Sequence, residues 1–74
     1  KDFTQPLIHA DNGSVTISSS AAHVLTYVRI VAADGRTVYK LTPYVSRLSL
    51  KLPTGVYVVE ARTDEGESVA KVSL

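Results

Sequence analysis

The strictest constraint on this chain is the alternation of apolar and polar residues from Arg47 to Leu52, followed at once by Pro53-Thr54-Gly55 and a second apolar run. Leu48, Leu50 and Leu52 share one face while Arg47, Ser49 and Lys51 share the other, which is the period of a half-buried strand and not of a helix. Pro53 has no N–H to give to a ladder, and Gly55 is free to take φ > 0, so the chain turns there. Residues 56–63 resume as a strand with Tyr57, Val59 and Ala61 on one face. The opposite face runs from Val56 and Val58 into Glu60 and Arg62, dry at one end and wet at the other, so this strand is expected to be central.

The rest of the chain repeats this grammar. Residues 1–6 are polar, end in Pro6 and read as a linker from a preceding domain, an expectation strengthened by the lack of an initial Met. Residues 7–74 are then one domain. A first strand is expected over 7–10. Asn12-Gly13 marks a hairpin turn, and Val15 and Ile17 alternate with Ser14, Thr16 and Ser18 in a second strand. Residues 18–23 carry little apolar bulk and read as a crossing loop, with Ala21 and Ala22 able to sit in a helical turn. A long strand over 24–33 is expected to bury Val24, Thr26, Val28, Ile30 and Ala32 and to turn its other face, from Leu25 to Val31, outward. Asp34-Gly35 makes a further hairpin into Thr37–Leu41, and Thr42-Pro43-Tyr44 ends that strand. Residues 45–52 and 56–63 follow, then a turn at 64–67 whose acidic side chains are read as solvated, then a final strand over 68–74.

Seven short strands at turn spacings of about 8–12 residues, with no helical period, predict an all-β, seven-stranded antiparallel immunoglobulin-like β-sandwich, with a small barrel as the alternative. A chain of 74 residues has room for one core and hides only about 60% of its unfolded surface, so its stability is expected to be modest. Without Cys, Trp or Met, that core must be Val, Leu, Ile, Ala and Tyr. The absent Cys also rules out a disulfide framework and the Cys pair of antibody domains.

Composition removes several classes of function. The net charge is +1 and the basic residues are scattered, so nothing resembles the clustered cations that neutralise phosphate, and no nucleic-acid partner is expected. There is no apolar run of the roughly eighteen residues a membrane helix needs. His9 and His23 stand alone without a ligand spacing and read as surface histidines, so no metal is expected. Ser, His and Asp occur in no nucleophile motif and the glycines lie singly in turns, so the chain is read as a non-enzyme without a cofactor.

Three segments in order carry a more specific signal: Asp34-Gly35-Arg36 in its hairpin, Leu52-Pro53-Thr54-Gly55-Val56-Tyr57-Val58-Val59, and Val69-Ala70-Lys71-Val72-Ser73-Leu74. Over residues 13–74 this order resembles the C-terminal sorting domain of type IX (Por) secretion substrates in Bacteroidetes. That family shows an Asp/Asn-x-Gly-Arg/Lys-type hairpin, a Leu-x-x-Gly-x-Tyr-x-Val strand and a lysine in the final strand. The chain departs from it in lacking the Asn-Pro motif of the first half and in ending Lys71-Val72-Ser73-Leu74, where many members have a longer β-branched run and a final basic residue. The resemblance implies that Asp34, Gly35, Arg36, Gly55, Tyr57 and Lys71 are the motif residues of a secretion and sorting signal. It implies passage through the periplasm, recognition by the type IX translocon and delivery of the parent protein to the cell surface or medium. It also implies a sortase-like peptidase that links the cargo to anionic lipopolysaccharide.

Each motif residue also has a plain structural role. Gly55 is expected to answer a backbone demand, Tyr57 to bury its ring and send its hydroxyl to a backbone group, and Lys71 to blunt an exposed edge. The final strand is expected to be that edge, open to strand addition by a partner with Lys71 guiding the pairing, or to dimerisation through edge strands. The alternative function is an immunoglobulin-like structural or carbohydrate-binding accessory module of a secreted multidomain protein.

Overall fold

A computed structural model describes residues 5–19 and 23–74. Among them, seven antiparallel strands form two sheets: β1 (Leu7–Asp11), β2 (Ser14–Ser18) and β5 (Arg47–Lys51) in the order β1-β2-β5, and β3 (Tyr27–Ala32), β4 (Thr37–Leu41), β6 (Val56–Arg62) and β7 (Glu67–Ser73) in the order β4-β3-β6-β7. The sheets face each other across a core in which Val15, Ile17, Leu25, Val28, Ile30, Val59 and Ala61 are fully buried, with Leu52 and Tyr57 nearly so. The two best-alternating strands of the sequence supply opposite walls. Leu48 and Leu50 of β5 pack onto the core from one sheet, Tyr57, Val59 and Ala61 of β6 from the other. As expected, β6 is internal and β7 is an edge.

Turn chemistry fixes the hairpins. Asn12 and Gly13 both have positive φ, 48° and 79°, the geometry of a two-residue turn whose twist matches its strands, and Asp11 faces Ser14 across it. The β3–β4 hairpin is built differently. Gly35 N–H donates to Ala32 O at 2.9 Å and Ala32 N–H to Arg36 O at 2.8 Å, so Ala33 and Asp34 occupy the turn and Gly35, at φ 90°, takes the left-handed position that follows it. Arg36 N–H donates to Asp34 Oδ1 at 3.0 Å, holding the loop in shape.

The expectation for the long strand over 24–33 is corrected at its start. β3 begins only at Tyr27. Leu25, expected to face outward, is fully buried, while Val24, expected inside, is 41% exposed. The reason is a change of sheet within three residues. Leu25 N–H donates to Val45 O (2.7 Å) and Tyr44 N–H to Leu25 O (2.9 Å), whereas Thr26 N–H donates to Arg62 O at 2.8 Å. A strand that hands its bonds from one sheet to the other loses its side-chain phase at the crossing, so Leu25 and Val28 both reach the core. Val45 is held in that isolated bridge rather than in β5, and β5 therefore starts later than 45–52 implied. Beside it Tyr44 has φ 54°, an uncommon conformation for a bulky residue, and is 65% exposed.

At the amino-terminal side, Pro6 is buried and its carbonyl accepts a 2.5 Å hydrogen bond from Ser68 Oγ. Pro6 is thus fastened to the sandwich rather than free in a linker. The remainder of the expected linker, residues 1–4, and the Ala21-Ala22 turn lie outside the described residues.

Candidate functional site

The outer face of the four-stranded sheet is where the motif residues meet. In the register of β3, β6 and β7, Val31 lies opposite Val58 and Val58 opposite Lys71, while Val56 lies opposite Ser73. At this end the β3–β4 hairpin rises beside the turn that enters β6. Two adjoining concavities result, both lined by Ala32, Ala33, Val56 and Tyr57. Asp34, Arg36 and Gly55 border one, and Gly35, Val58 and Lys71 border the other. All six motif residues expected from the sequence therefore surround one surface, although more than thirty residues of chain separate the first from the last.

Each holds its place for a local reason. Tyr57 is 6% exposed; its ring packs inward and its hydroxyl donates to Pro53 O at 2.8 Å, as buried tyrosines require. Gly55 has φ 158°, a positive value that L side chains rarely adopt, which is the backbone demand expected of it. Space is not the constraint, since a Cβ there would sit 3.5 Å from the Tyr57 hydroxyl and 3.6 Å from its ring, ordinary van der Waals contact. Arg36 is exposed, with its guanidinium 3.9 Å from Asp34, a distance at which two solvated charges contribute little. Lys71 is exposed and forms no ion pair among the described residues.

Residues that sequence motifs did not single out complete the surface. Val56 and Val58 are 37% and 41% exposed, and with Lys71 and Ala33 they give the larger concavity an apolar floor with a cationic border; Val69, 61% exposed, lies outside it, opposite Glu60. The dry-to-wet gradient along the outer face of β6 was the signal for Val56 and Val58. The larger concavity, ≈ 510 Å³, is broad and open, and suits a protein surface better than the enclosure a small ligand requires.

The other end of the same face is occupied by charge. Arg62 reaches Glu60 at 2.9 Å and Glu67 at 3.3 Å, Arg29 reaches Glu60 at 3.3 Å, and the Arg62 guanidinium lies 5.0 Å from the centroid of the Tyr27 ring. Beyond it, His23 Nδ1 lies 2.8 Å from Asp64 Oδ1, and the ligand atoms of His23, Asp64 and Glu65 all fall within 4.8 Å of one another. His23, expected as a surface histidine, is half-buried, and Asp64 and Glu67, expected only to be solvated, each have a partner while remaining exposed. The His23–Asp64 contact joins the segment before β3 to the β6–β7 turn. That turn is itself closed by Thr63 Oγ1, which accepts from Glu65 N–H (3.1 Å) and Gly66 N–H (3.2 Å).

Comparison of this chain with protein-family models, with curated proteins and with solved structures finds no match.

Proposed function

We propose that this domain is a secretion and sorting signal of the type IX kind, immunoglobulin-like in topology and read through its folded surface. The observation that carries the reading is the meeting of its three motif segments, Asp34-Gly35-Arg36, Gly55-Val56-Tyr57 and Lys71, around two adjoining concavities that share Ala32, Ala33, Val56 and Tyr57. Scattered motif residues that merely satisfied turns and edges would have no reason to share a surface. A machinery that handles many cargoes needs a signal that is independent of the cargo, and an apolar patch with charges at its border supplies both area and orientation.

The topology supports the same reading. Sheets ordered β1-β2-β5 and β4-β3-β6-β7 can be lettered A-B-E and C′-C-F-G, and this supports reading the sandwich as immunoglobulin-like. Tyr57, near the start of the strand in the F position, bonds to a carbonyl four residues upstream, the arrangement called a tyrosine corner. Val15, Ile17, Val28, Ile30 and Val59 make the core without the disulfide and Trp of antibody domains.

In this proposal the translocon contacts the concavity in the periplasm, and the peptidase acts on the joined cargo afterwards, linking it to anionic lipopolysaccharide. The test is a reporter protein fused ahead of the chain in a bacterium that carries the machinery. Arg36→Glu and Val58→Asp, both on exposed positions, are expected to hold the reporter in the periplasm while the isolated domains keep the parent melting temperature. Surface delivery of both variants at the parent level would overturn the proposal.

A further inference from the structure

The outer edge of β7 carries a row of backbone groups whose phase is fixed from both ends. Gly55 N–H donates to Leu74 O at 3.1 Å and Leu74 N–H to Gly55 O at 2.8 Å, while at the other end Thr63 N–H donates to Gly66 O at 2.8 Å. Opposed residues of an antiparallel pair alternate between those that exchange bonds and those that do not. From Gly55 and Leu74 the bonded pairs therefore run through Tyr57↔Val72, Val59↔Ala70 and Ala61↔Ser68 to Thr63 and Gly66, and the two ends agree. It follows that Glu67, Val69, Lys71 and Ser73 turn their N–H and C=O groups away from β6. No described residue accepts or donates to them. The same four residues have exposed side chains on the outer face.

The four sheet edges are not equally open. β4 pairs with an irregularity opposite Ile30 and Val31, and such a bulge blunts an edge. β5 sets exposed Arg47 and Lys51 at its two ends. β7 keeps unbroken register with β6 from Glu67 to Ser73, is longer than β1, and is tied to Pro6 only on its inward side through Ser68 Oγ.

We propose that β7 pairs with β7 of a second copy of this chain, antiparallel, about a two-fold axis through Val69. The choice of register comes from charge. With the axis at Val69, Val69 faces its own counterpart, and Lys71 faces Glu67 of the second copy on both sides of the axis. An axis through Lys71 opposes two lysines, which destabilises a strand pair. An axis through Ala70 sets Lys71 against a valine and Glu67 against a serine, leaving both charges unpaired. Only the Val69 axis joins outward-facing backbone groups, opposes unlike charges and brings together the most exposed valine of each face. The result is isologous, as closed dimers are, and makes one continuous sheet in which the Val58–Lys71 row of each copy runs on into the Glu67–Arg62 row of the other. This goes beyond the sorting reading and does not rest on it, since it needs only the register of β7.

Sedimentation equilibrium of the chain over a concentration series tests it. The parent is expected to dimerise reversibly. K71E places like charges opposite each other at both pairs and is expected to weaken the dimer by about tenfold or more. The double variant E67K/K71E restores unlike pairs in reversed order and is expected to bring the dimer back; within the chain it also sets a lysine opposite Arg62, a pair exposed on both sides, whose cost the melting temperature reads separately. Circular dichroism and melting temperature confirm that each variant is folded. A parent that stays monomeric throughout the series, a dimer indifferent to K71E, or a folded double variant that remains as weak as K71E would each overturn the proposal.

Discussion

The two ends of the outer face of the four-stranded sheet are made by the same three strands in the same pleat, yet they finish in different ways. At one end Tyr27, Arg29, Glu60, Arg62 and Glu67 link β3, β6 and β7 by ion pairs and a cation–π contact. At the other, Val31, Val56 and Val58 stand beside Lys71 with no such closure among the described residues, and Val69, opposite Glu60, lies between the two ends. Exposure alone does not separate them, since the Arg62 side chain is 50% exposed and Val58 41%. What separates them is whether the side chains find partners within the chain. The charged end completes itself, and the valine end is left open among the described residues. On the proposed reading, a recognition surface is marked less by being apolar than by lying next to a patch that the fold has finished.

The strongest test removes what the two ends share. Ile30 is fully buried beneath both, and Ile30→Ala is expected to cost about 2–5 kcal/mol, enough in a domain of this size to abolish a cooperative urea transition. A cooperative transition at the parent midpoint would mean that the ends are supported independently. Glu60→Ala acts on one end only. Its carboxylate, 15% exposed, serves both Arg29 and Arg62, and its loss is expected to cost about 1 kcal/mol, shrinking as salt is raised. Val58→Thr, at the other end, is expected to change stability by less than about 0.5 kcal/mol while lowering the binding of an apolar fluorescent dye to the folded domain. If Val58→Thr destabilises as much as Glu60→Ala, the valine end is part of the fold's own support and the contrast fails.

Much of this contrast was legible in the sequence because it depends on period and order. The alternation in β5 and β6 and the Asn12-Gly13 turn are local signals, and the drift of the β6 outer face from Val56 to Arg62 foretold the two surfaces before any strand was paired. Leu25 was misplaced because side-chain phase is kept only while a strand stays in one sheet, and no residue near Thr26 announces the transfer of its bonds to Arg62. Pro6 was read as the end of a linker and His23 as a surface histidine because their partners, Ser68 and Asp64, lie far along the chain. The concavity itself needed the register of three strands, since its motif residues come from separate turns and edges.

The pairing of β2 with β5 and of β3 with β6 also governs how the domain is reached in time. Hairpins β1–β2, β3–β4 and β6–β7 close short loops and can flicker into existence within microseconds. Thr16 and Ser49, by contrast, meet across 33 residues, and Val28 waits for Ala61. The entropy of closing such loops is lost before any core is gained, which places sandwiches of this kind in the millisecond-to-second range of folding. A chain made from its amino-terminal side first therefore carries hairpins without a core until β6 has followed.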